Sequence, residues 1–150
     1  MGYLALMHVS FALFADAANI SQEGKLNILG VFDAVHVGQL PALHPRTTFV
    51  LRLKAQPQDA GVHPLQLRWI NPRGAELWSS QAELDIAQAP ANMGELDMPV
   101  IVQLDLPLDV TGDYRMTVTI AGKETTACTL HVHGNAAAPM VPPPPAGMVS

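Results

Sequence analysis

Two histidines near the end of the chain are the side chains best suited to bind a metal ion. His131 and His133 stand in the run "HVH", and residues two apart on a strand point to the same side. Imidazole nitrogens ligate zinc, but a protein site needs three or four ligands. His8 would complete such a set only if the first strand lay beside the last one. These three histidines are the metal candidates, and surface histidines near a strand end are the favoured interpretation.

Four side chains with oxygen atoms lie close together near the start of the chain: Asp16, Asn19, Ser21 and Glu23. A calcium site needs six or more oxygen ligands, and these residues fall short of that number. Asn and Ser are also common in loops, where they bond to their own backbone. We expect "ADAANISQEG" to be a loop that connects the first two strands, with these four residues as its candidate contact site.

The sequence contains no pattern typical of a nucleophilic or phosphate-binding enzyme. G-x-S-x-G, H-E-x-x-H and a phosphate-binding glycine loop are all missing. The only cysteine, Cys128, falls on the core side of a predicted strand, where a buried thiol is unreactive. The sequence therefore predicts a protein that is not an enzyme and has no catalytic residue and no cofactor. The alternative is a metal-dependent enzyme that uses His131 and His133.

The composition is that of one folded domain with an acidic balance. The chain has 150 residues, of which 49% are hydrophobic and 14% charged, and its formal net charge is −5. It is long enough to bury a core. Without a basic cluster, binding to nucleic acid is not expected. The chain contains no run of eighteen apolar residues, so no membrane-spanning helix is expected. The lone cysteine favours a reducing compartment.

The apolar run before "ADA" has two interpretations. Its length and the small residues after it resemble an export signal, with cleavage near residue 17. An export signal begins with a positive charge, however, and the first basic residue is Lys25. Read with a period of two, Met7, Val9, Phe11 and Leu13 share one side, as in a strand. We therefore expect a cytoplasmic protein; export, with residues 1–17 as a signal peptide, is the alternative.

Alternation of apolar and polar residues predicts further strands. In "LDMPVIVQLDL", Pro99 falls on the outward side, which is typical of an edge strand or of a strand end. "LNILGVFDAVHV" has two apolar faces, and we expect one strand that is either covered on both sides or bulged at Gly30. The run "TTFVLRLKA" places four residues inward: Phe49, Leu51, Leu53 and Ala55. Apolar residues on outward sides, which would form a contact face, are Val50, Ile70, Leu77 and Ile101.

Two hairpins have registers that the sequence constrains. In the first, "NPRG" is a strong turn sequence, and Pro72 and Arg73 as its central residues set Trp69 opposite Glu76. Both Trp69 and Trp78 then face the core, whereas exposed rings would indicate a ligand- or carbohydrate-binding sandwich. In the second, around "AGKE", burial of the apolar side chains requires a three-residue loop or a bulge.

Residues 134–150 differ in composition from the rest of the chain. They contain five prolines and no Lys, Arg, Asp or Glu. A proline run cannot extend a sheet and favours polyproline II. We therefore expect a β-sandwich domain at residues 1–133 and a flexible Pro-rich tail at residues 134–150. A docking peptide for an aromatic groove is the alternative for the tail.

The opening segment also resembles a known family. "ALFADAAN", "QEGKLNILG", a "P-x-G-x-E-L" hairpin at residues 72–77 and "GDYR" at residues 112–115 are similar to those of small bacterial proteins catalogued as a domain of unknown function. The resemblance covers residues 5–133. It implies that the opening segment belongs to the folded domain, and it implies no activity, catalytic residue or cofactor.

These patterns together predict an all-β protein. We expect a mostly antiparallel sandwich of about seven to nine strands, similar to immunoglobulin and fibronectin domains. Such sandwiches bind through edges, faces and end loops. The expected function is therefore a protein-interaction or scaffold module, whose partner is another protein or a second copy of the chain.

Overall fold

Most of the chain is extended backbone, as the alternating pattern predicts. The computed structural model describes residues 7–88, 90, 92 and 94–134. The strands found there are β1 (His8–Ile20), β2 (Leu26–Phe32), β3 (Ala34–Val37), β4 (Ala42–Ala55), β5 (Gly61–Ile70), β6 (Glu76–Ile86), β7 (Leu96–Leu108), β8 (Gly112–Ile120) and β9 (Lys123–Gly134). A short 3₁₀ helix, Pro57–Asp59, follows β4. No helix in this part of the chain is long and apolar enough to cross a membrane.

The strands form two sheets that enclose the core. One sheet has the order β2-β1-β4-β7 and the other β3-β9-β8-β5-β6. Neighbouring strands run antiparallel except β3 and β9, which run parallel. The expected β-sandwich is confirmed. Apart from Gly134, which ends β9, the predicted Pro-rich tail lies outside the described residues.

Strands β4 and β7 follow the predicted alternation. The four residues of β4 predicted to face inward, Phe49, Leu51, Leu53 and Ala55, are all fully buried. β7 is an edge strand, which is one of the two positions that the outward Pro99 predicts. Regular alternation is therefore sufficient to assign faces where the backbone has no irregularity.

A bulge in β1 changes which of its residues face the core. Val9 lies opposite Leu53, and Phe11 lies opposite Arg52, so Ser10 is an extra residue. Beyond the bulge Phe14 is fully buried in the core. The prediction that Phe11 shares the side of Val9 is wrong, because a strict period of two does not allow for the extra residue.

The apolar segment at residues 26–37 forms two strands in different sheets. β2 lies beside β1, whereas β3 lies beside β9, so the prediction of a single strand is wrong. Asp33 lies at the crossing, where its carbonyl oxygen accepts a hydrogen bond from the backbone N–H of His131 at 2.8 Å. Both faces are apolar because Phe32 packs on the core from one sheet, and Val35 and Val37 pack on it from the other.

The central hairpin keeps the predicted core face in a different register. Its turn closes at Asn71, and Gly74 adopts a φ of +85°, so the loop holds three residues. Together with a bulge in β6, this sets Trp69 opposite Trp78 and not opposite Glu76. Trp69 is fully buried, and Trp78 is half-buried against the core, so the two rings form no exposed platform.

The last hairpin contains the bulge that its sequence predicts. Ala121 and Gly122, both at positive φ, form a two-residue turn. The register of β8 and β9 then shifts by one residue between Val118 and Thr119. This bulge gives the parity at which Leu130 is fully buried.

A buried tyrosine ties the start of β8 to the loop that precedes it. Tyr114 is fully buried, and its ring stacks on Trp69 with 5.2 Å between centroids. Its hydroxyl accepts hydrogen bonds from the backbone N–H groups of Asp109 (2.8 Å) and Val110 (2.9 Å) and donates to the Asp109 carboxylate at 2.7 Å. Such a tyrosine corner is a feature of immunoglobulin-like sandwiches. Burial raises the pKa of Tyr114.

The same loop is also held by the end of β5. The indole N–H of Trp69 donates to the carbonyl of Pro107 at 2.9 Å, and the amide of Asn71 donates to the Asp109 carboxylate at 2.8 Å. Desolvation by itself would raise the pKa of Asp109, but the hydrogen bonds from Tyr114 and Asn71 hold it below its usual value. Because Pro107 belongs to the first sheet and Trp69 to the second, the bond between them joins the two layers.

We expect Tyr114→Phe to lower the free energy of unfolding by about 1–3 kcal/mol, because two partly buried N–H groups lose their acceptor while the ring packing is kept. Urea unfolding followed by tryptophan fluorescence measures the change. Asn27→Ala, which removes an exposed side-chain hydrogen bond to Asn19, is the control and should stay within about 0.5 kcal/mol. Equal stability of Tyr114→Phe and the parent protein would contradict this role of the hydroxyl.

Candidate functional site

The early segment that contains the candidate contact residues is a β-hairpin, and most of its residues lie in the two strands. Asp16 and Asn19 lie within β1, so the expected ten-residue loop is wrong. β1 continues through residues 17–20 because these residues pair with β2. The connection covers residues 21–25, where the backbone N–H of Ser21 donates to the carbonyl of Lys25 at 2.8 Å. We name the hairpin of residues 16–30 the strap.

Three of the four candidate side chains, those of Asn19, Ser21 and Glu23, bond to other residues of the strap. The amide oxygen of Asn19 accepts a hydrogen bond from Asn27 at 3.0 Å. The Ser21 hydroxyl accepts one from the backbone N–H of Lys25 at 3.1 Å, and Glu23 pairs with Lys25 at 3.7 Å. The four candidate contact residues therefore lie along the hairpin without forming a common cluster.

The strap bends back over the outer face of the four-stranded sheet. Pairing between β1 and β4 ends at Ala15, and Phe11 lies opposite Arg52. A straight strand would carry Ile20, nine residues further on, about 30 Å away from Arg52. The turn of the strap instead lines a pocket of ≈ 420 Å³ together with Arg52. Residues lining this pocket are Gly24, Lys25, Leu26, Arg52, Asp97 and Pro99. The strap therefore folds over β4 and β7.

Asp16 and Gly30 mark the position of the bend. The regular pairing of β1 and β2 skips them, although their neighbours on both sides pair. Gly30 adopts a φ of +71°, and a Cβ atom at this position would overlap the carboxylate of Asp16. Glycine is required here both by its backbone conformation and by the side chain that covers it.

One apolar residue on the outer face of the four-stranded sheet is buried. Val50 lies between Leu13 and Ile101 on the neighbouring strands, faces away from the core and is fully buried. The predicted exposed contact face of Val50, Ile70, Leu77 and Ile101 is therefore wrong. Leu77 packs against the core because of the bulge in β6, and Ile70 and Ile101 are half-buried.

A cluster of charges lies beside the turn of the strap. Asp97 accepts a hydrogen bond from Arg52 at 2.5 Å and also pairs with Lys54. The hydrogen bond from Arg52, followed by that from Lys54, lowers the pKa of Asp97 to about 2. The same contact raises the pKa of Arg52. Since the cluster is partly exposed, solvent screening keeps its contribution to stability small.

The outward side of the strap and the end of β2 carry exposed apolar side chains. Leu29 is 71% exposed and Val31 60%. β2 pairs with β1 alone, so its other edge has no strand partner among the described residues. The β2 sequence, "LNILGVF", contains neither a charged residue nor a proline. This edge therefore offers free backbone groups flanked by apolar side chains.

The other sheet edges formed by the described strands have features that hinder strand addition. β7 contains Pro99 and Pro107, β6 contains Glu76, Glu83 and Asp85, and β3 has only four residues. Prolines, charges and short length are common protections of edge strands. Among the four edges within the described part of the chain, β2 lacks all three.

The three predicted metal candidates do not come together. His8 lies in the first sheet, with its ring 3.9 Å from Glu95, whereas His131 and His133 lie in the second. The prediction that His8 could join His131 and His133 as a third ligand is wrong, because β1 and β9 belong to different sheets. His131 is 2.7 Å from the carboxylate of Asp113, and this hydrogen bond raises the pKa of His131. Within the described residues, no three His, Cys, Asp or Glu side chains are placed to hold an ion.

A histidine that the sequence did not single out stands beside His133. His36 pairs with His133 across the parallel strands β3 and β9, and their ring centroids are 5.0 Å apart. No local pattern predicts this contact, because it depends on a pairing between residues about a hundred positions apart in the chain.

Cys128 has the properties of an unreactive thiol. It is half-buried and packs against the core. Desolvation is the main cause that raises its pKa to about 11, with a smaller effect of Asp33. The thiolate is the reactive form, so its nucleophilicity is suppressed.

A comparison with known protein families shows to which family this chain belongs. The model of a family of unknown function, DUF6941, matches residues 10–133, which contain the strap and both sheets. The chain belongs to the DUF6941 family. This confirms the resemblance seen in the opening segment, and no curated protein matches the sequence.

Two proteins of known structure can be named among those that are similar to this DUF6941 chain. The alkylpurine DNA glycosylase AlkC of Pseudomonas fluorescens, solved bound to DNA containing an abasic site analogue, is 7% identical over 86% of the chain, with a TM-score of 0.40. The chain spans 31% of the glycosylase. An immunoglobulin-like protein from Pseudomonas aeruginosa is 14% identical over 88% of the chain and 100% of its own length, with a TM-score of 0.37.

We expect Gly30→Ala to destabilise the DUF6941 domain by about 1–3 kcal/mol, because alanine disfavours positive φ and its methyl group meets Asp16. Thermal and urea unfolding measure the loss. Gly74→Ala is the matched control, since Gly74 has a similar φ of +85° with open space around its Cβ position. Adding Asp16→Ala to Gly30→Ala should reduce the loss to that of the control. An unchanged loss in the double variant would contradict the contact with Asp16.

Acid titration tests the charge cluster beside the strap. Asp97 should titrate near pH 2, so its small contribution to stability is complete above its unfolded pKa, near 4, and is lost as the pH falls through 2. Arg52→Gln should raise the Asp97 pKa towards its ordinary value, which NMR of the carboxyl carbon measures. Arg68→Gln, which breaks an exposed pair with Glu76, should leave it unchanged. A normal Asp97 pKa in the parent protein would contradict the cluster.

Proposed function

We propose that this DUF6941 protein is a non-enzymatic interaction module of the cytoplasm that binds an extended segment of a protein partner along β2. The observation that carries the proposal is the edge of β2. It is unpaired among the described residues, lacks charge and proline, and lies beside Leu29 and Val31, which are strongly exposed. An added strand would satisfy the free backbone groups, and its side chains would cover this apolar surface.

The way the strap is held supports a role in presenting that edge. The hairpin is fixed at the bend, where Asp16 covers Gly30, and its turn lies beside Arg52 and Pro99. An edge held at two points loses little conformational entropy when a partner binds.

The acidic balance of the chain favours a protein as the partner. A net charge of −5 without a basic cluster opposes contact with the phosphates of nucleic acid. Trp69 is fully buried, so its ring is not available to bind a carbohydrate. A second copy of the chain meets the same requirements as another protein, since each copy carries the same free edge.

The place of β1 in the core supports a cytoplasmic location. Phe14 and Ala15 are fully buried in the sheet that carries the strap. Cleavage after residue 17 would remove these residues, all of the β1 residues that pair with β4 and half of those that pair with β2. An export signal at residues 1–17 would therefore cost the domain part of its core.

Site-specific photo-crosslinking in the cells that produce the protein tests the proposal. A photo-reactive amino acid at position 29 should give a discrete adduct, either with another protein or with a second copy. The same residue at position 62 is the control, because Val62 is 58% exposed at a site away from the strap. Val31→Lys should reduce the adduct about tenfold or more, because it places a charge beside the edge.

The control variant for this charge is Val62→Lys, which should leave the adduct at position 29 unchanged. Circular dichroism of each variant verifies that the fold is kept. Absence of an adduct at position 29, or equal adducts at positions 29 and 62, would contradict the proposed edge.

A further inference from the structure

A pair of histidines on the second sheet has the spacing of two ligands to one metal ion. His36 and His133 are direct partners in the parallel pairing of β3 and β9. Both are exposed and face away from the core, and their ring centroids are 5.0 Å apart with a tilt of 30° between the planes. With zinc–nitrogen bonds of about 2.0–2.1 Å and a tetrahedral angle, two ligating imidazole rings have centroids roughly 5 Å apart.

The backbone holds the two rings at this spacing. Val35 and Val37, on either side of His36, pack against the core, and Val132 before His133 is buried. Both histidine Cα atoms are therefore fixed by the sheet, and rotation of the side chains is the remaining freedom. A cation would meet ligands that are already side by side, which reduces the entropic cost of binding.

The neighbouring His131 is engaged elsewhere. Its ring bonds to Asp113 on β8, on the opposite side of β9 from β3. No third His, Cys, Asp or Glu among the described residues is placed to complete a site. The chain would thus supply two ligands, and water would occupy the remaining positions.

We propose that His36 and His133 bind one divalent transition-metal ion, with Zn²⁺ as the representative. Imidazole suits zinc, copper and nickel, whereas magnesium and calcium prefer oxygen ligands. A bound ion would link the short edge strand β3 to β9 and would stabilise the folded state by mass action. This site is independent of the strap, which lies on the other sheet.

Isothermal titration of the tag-free, full-length protein with ZnCl₂ tests the site. We expect one ion per chain, and His36→Gln or His133→Gln should each weaken binding about tenfold or more. His131→Gln is the matched control, on the same strand and face, and should bind with an affinity close to that of the parent protein. MgCl₂ should give no binding.

The proposal would be overturned by the absence of saturable Zn²⁺ uptake in the parent protein, by undiminished uptake in His36→Gln or in His133→Gln, or by an equal loss in His131→Gln. NMR of the parent protein gives a test that does not depend on how a variant folds. Sub-stoichiometric Zn²⁺ should shift the ring resonances of His36 and His133 together and leave those of His8 and His44 in place. Shifts at His8 or His44 alone would also overturn it.

Discussion

The position of Trp69 is the constraint on which the rest of the sandwich depends. Its ring packs against Tyr114 of its own sheet and Phe14 of the opposite sheet, with centroids 5.2 and 5.9 Å away. Its indole N–H is satisfied by the carbonyl of Pro107 in the opposite sheet. If the buried indole N–H had no acceptor, the desolvation of this polar group would destabilise the folded state. The two layers are therefore fixed at the one relative position that provides both the packing and the hydrogen bond.

The faces of the regular strands could be predicted from the sequence, and the irregular positions could not. Alternation identifies the buried side of β4 and the edge position of β7, because a period of two reports burial directly. It fails at Ser10 and near Leu77, where one extra residue moves every later side chain to the other face. The bulge in the last hairpin could be predicted because both of its strands have a clear apolar side. A short turn without a bulge would place these two sides on opposite faces of the sheet.

The candidate sites depend on contacts between distant residues, which the sequence shows only in part. The early segment stands out in the sequence, but its bend depends on Asp16 covering Gly30 from the neighbouring strand. The polar residues of that segment suggested a loop, although cross-strand pairing keeps Asn19 in β1. The pairing of His36 with His133 results from a change of sheet at residue 33. A local pattern contains no information about which distant strand will be the partner.

The parallel pairing of β3 with β9 has a consequence for the order in which the protein can be completed during synthesis. Residues 34–37 leave the ribosome long before residues 131–134, which are their partners. Until then Val35 and Val37 have no neighbouring strand on that side, and the crossing at Asp33 lacks its hydrogen bond to the backbone of His131. Pairing over such a distance is slow relative to local hairpins. The second sheet therefore closes last, and translation must pass β9 before the earliest part of that sheet is protected from solvent and from other nascent chains.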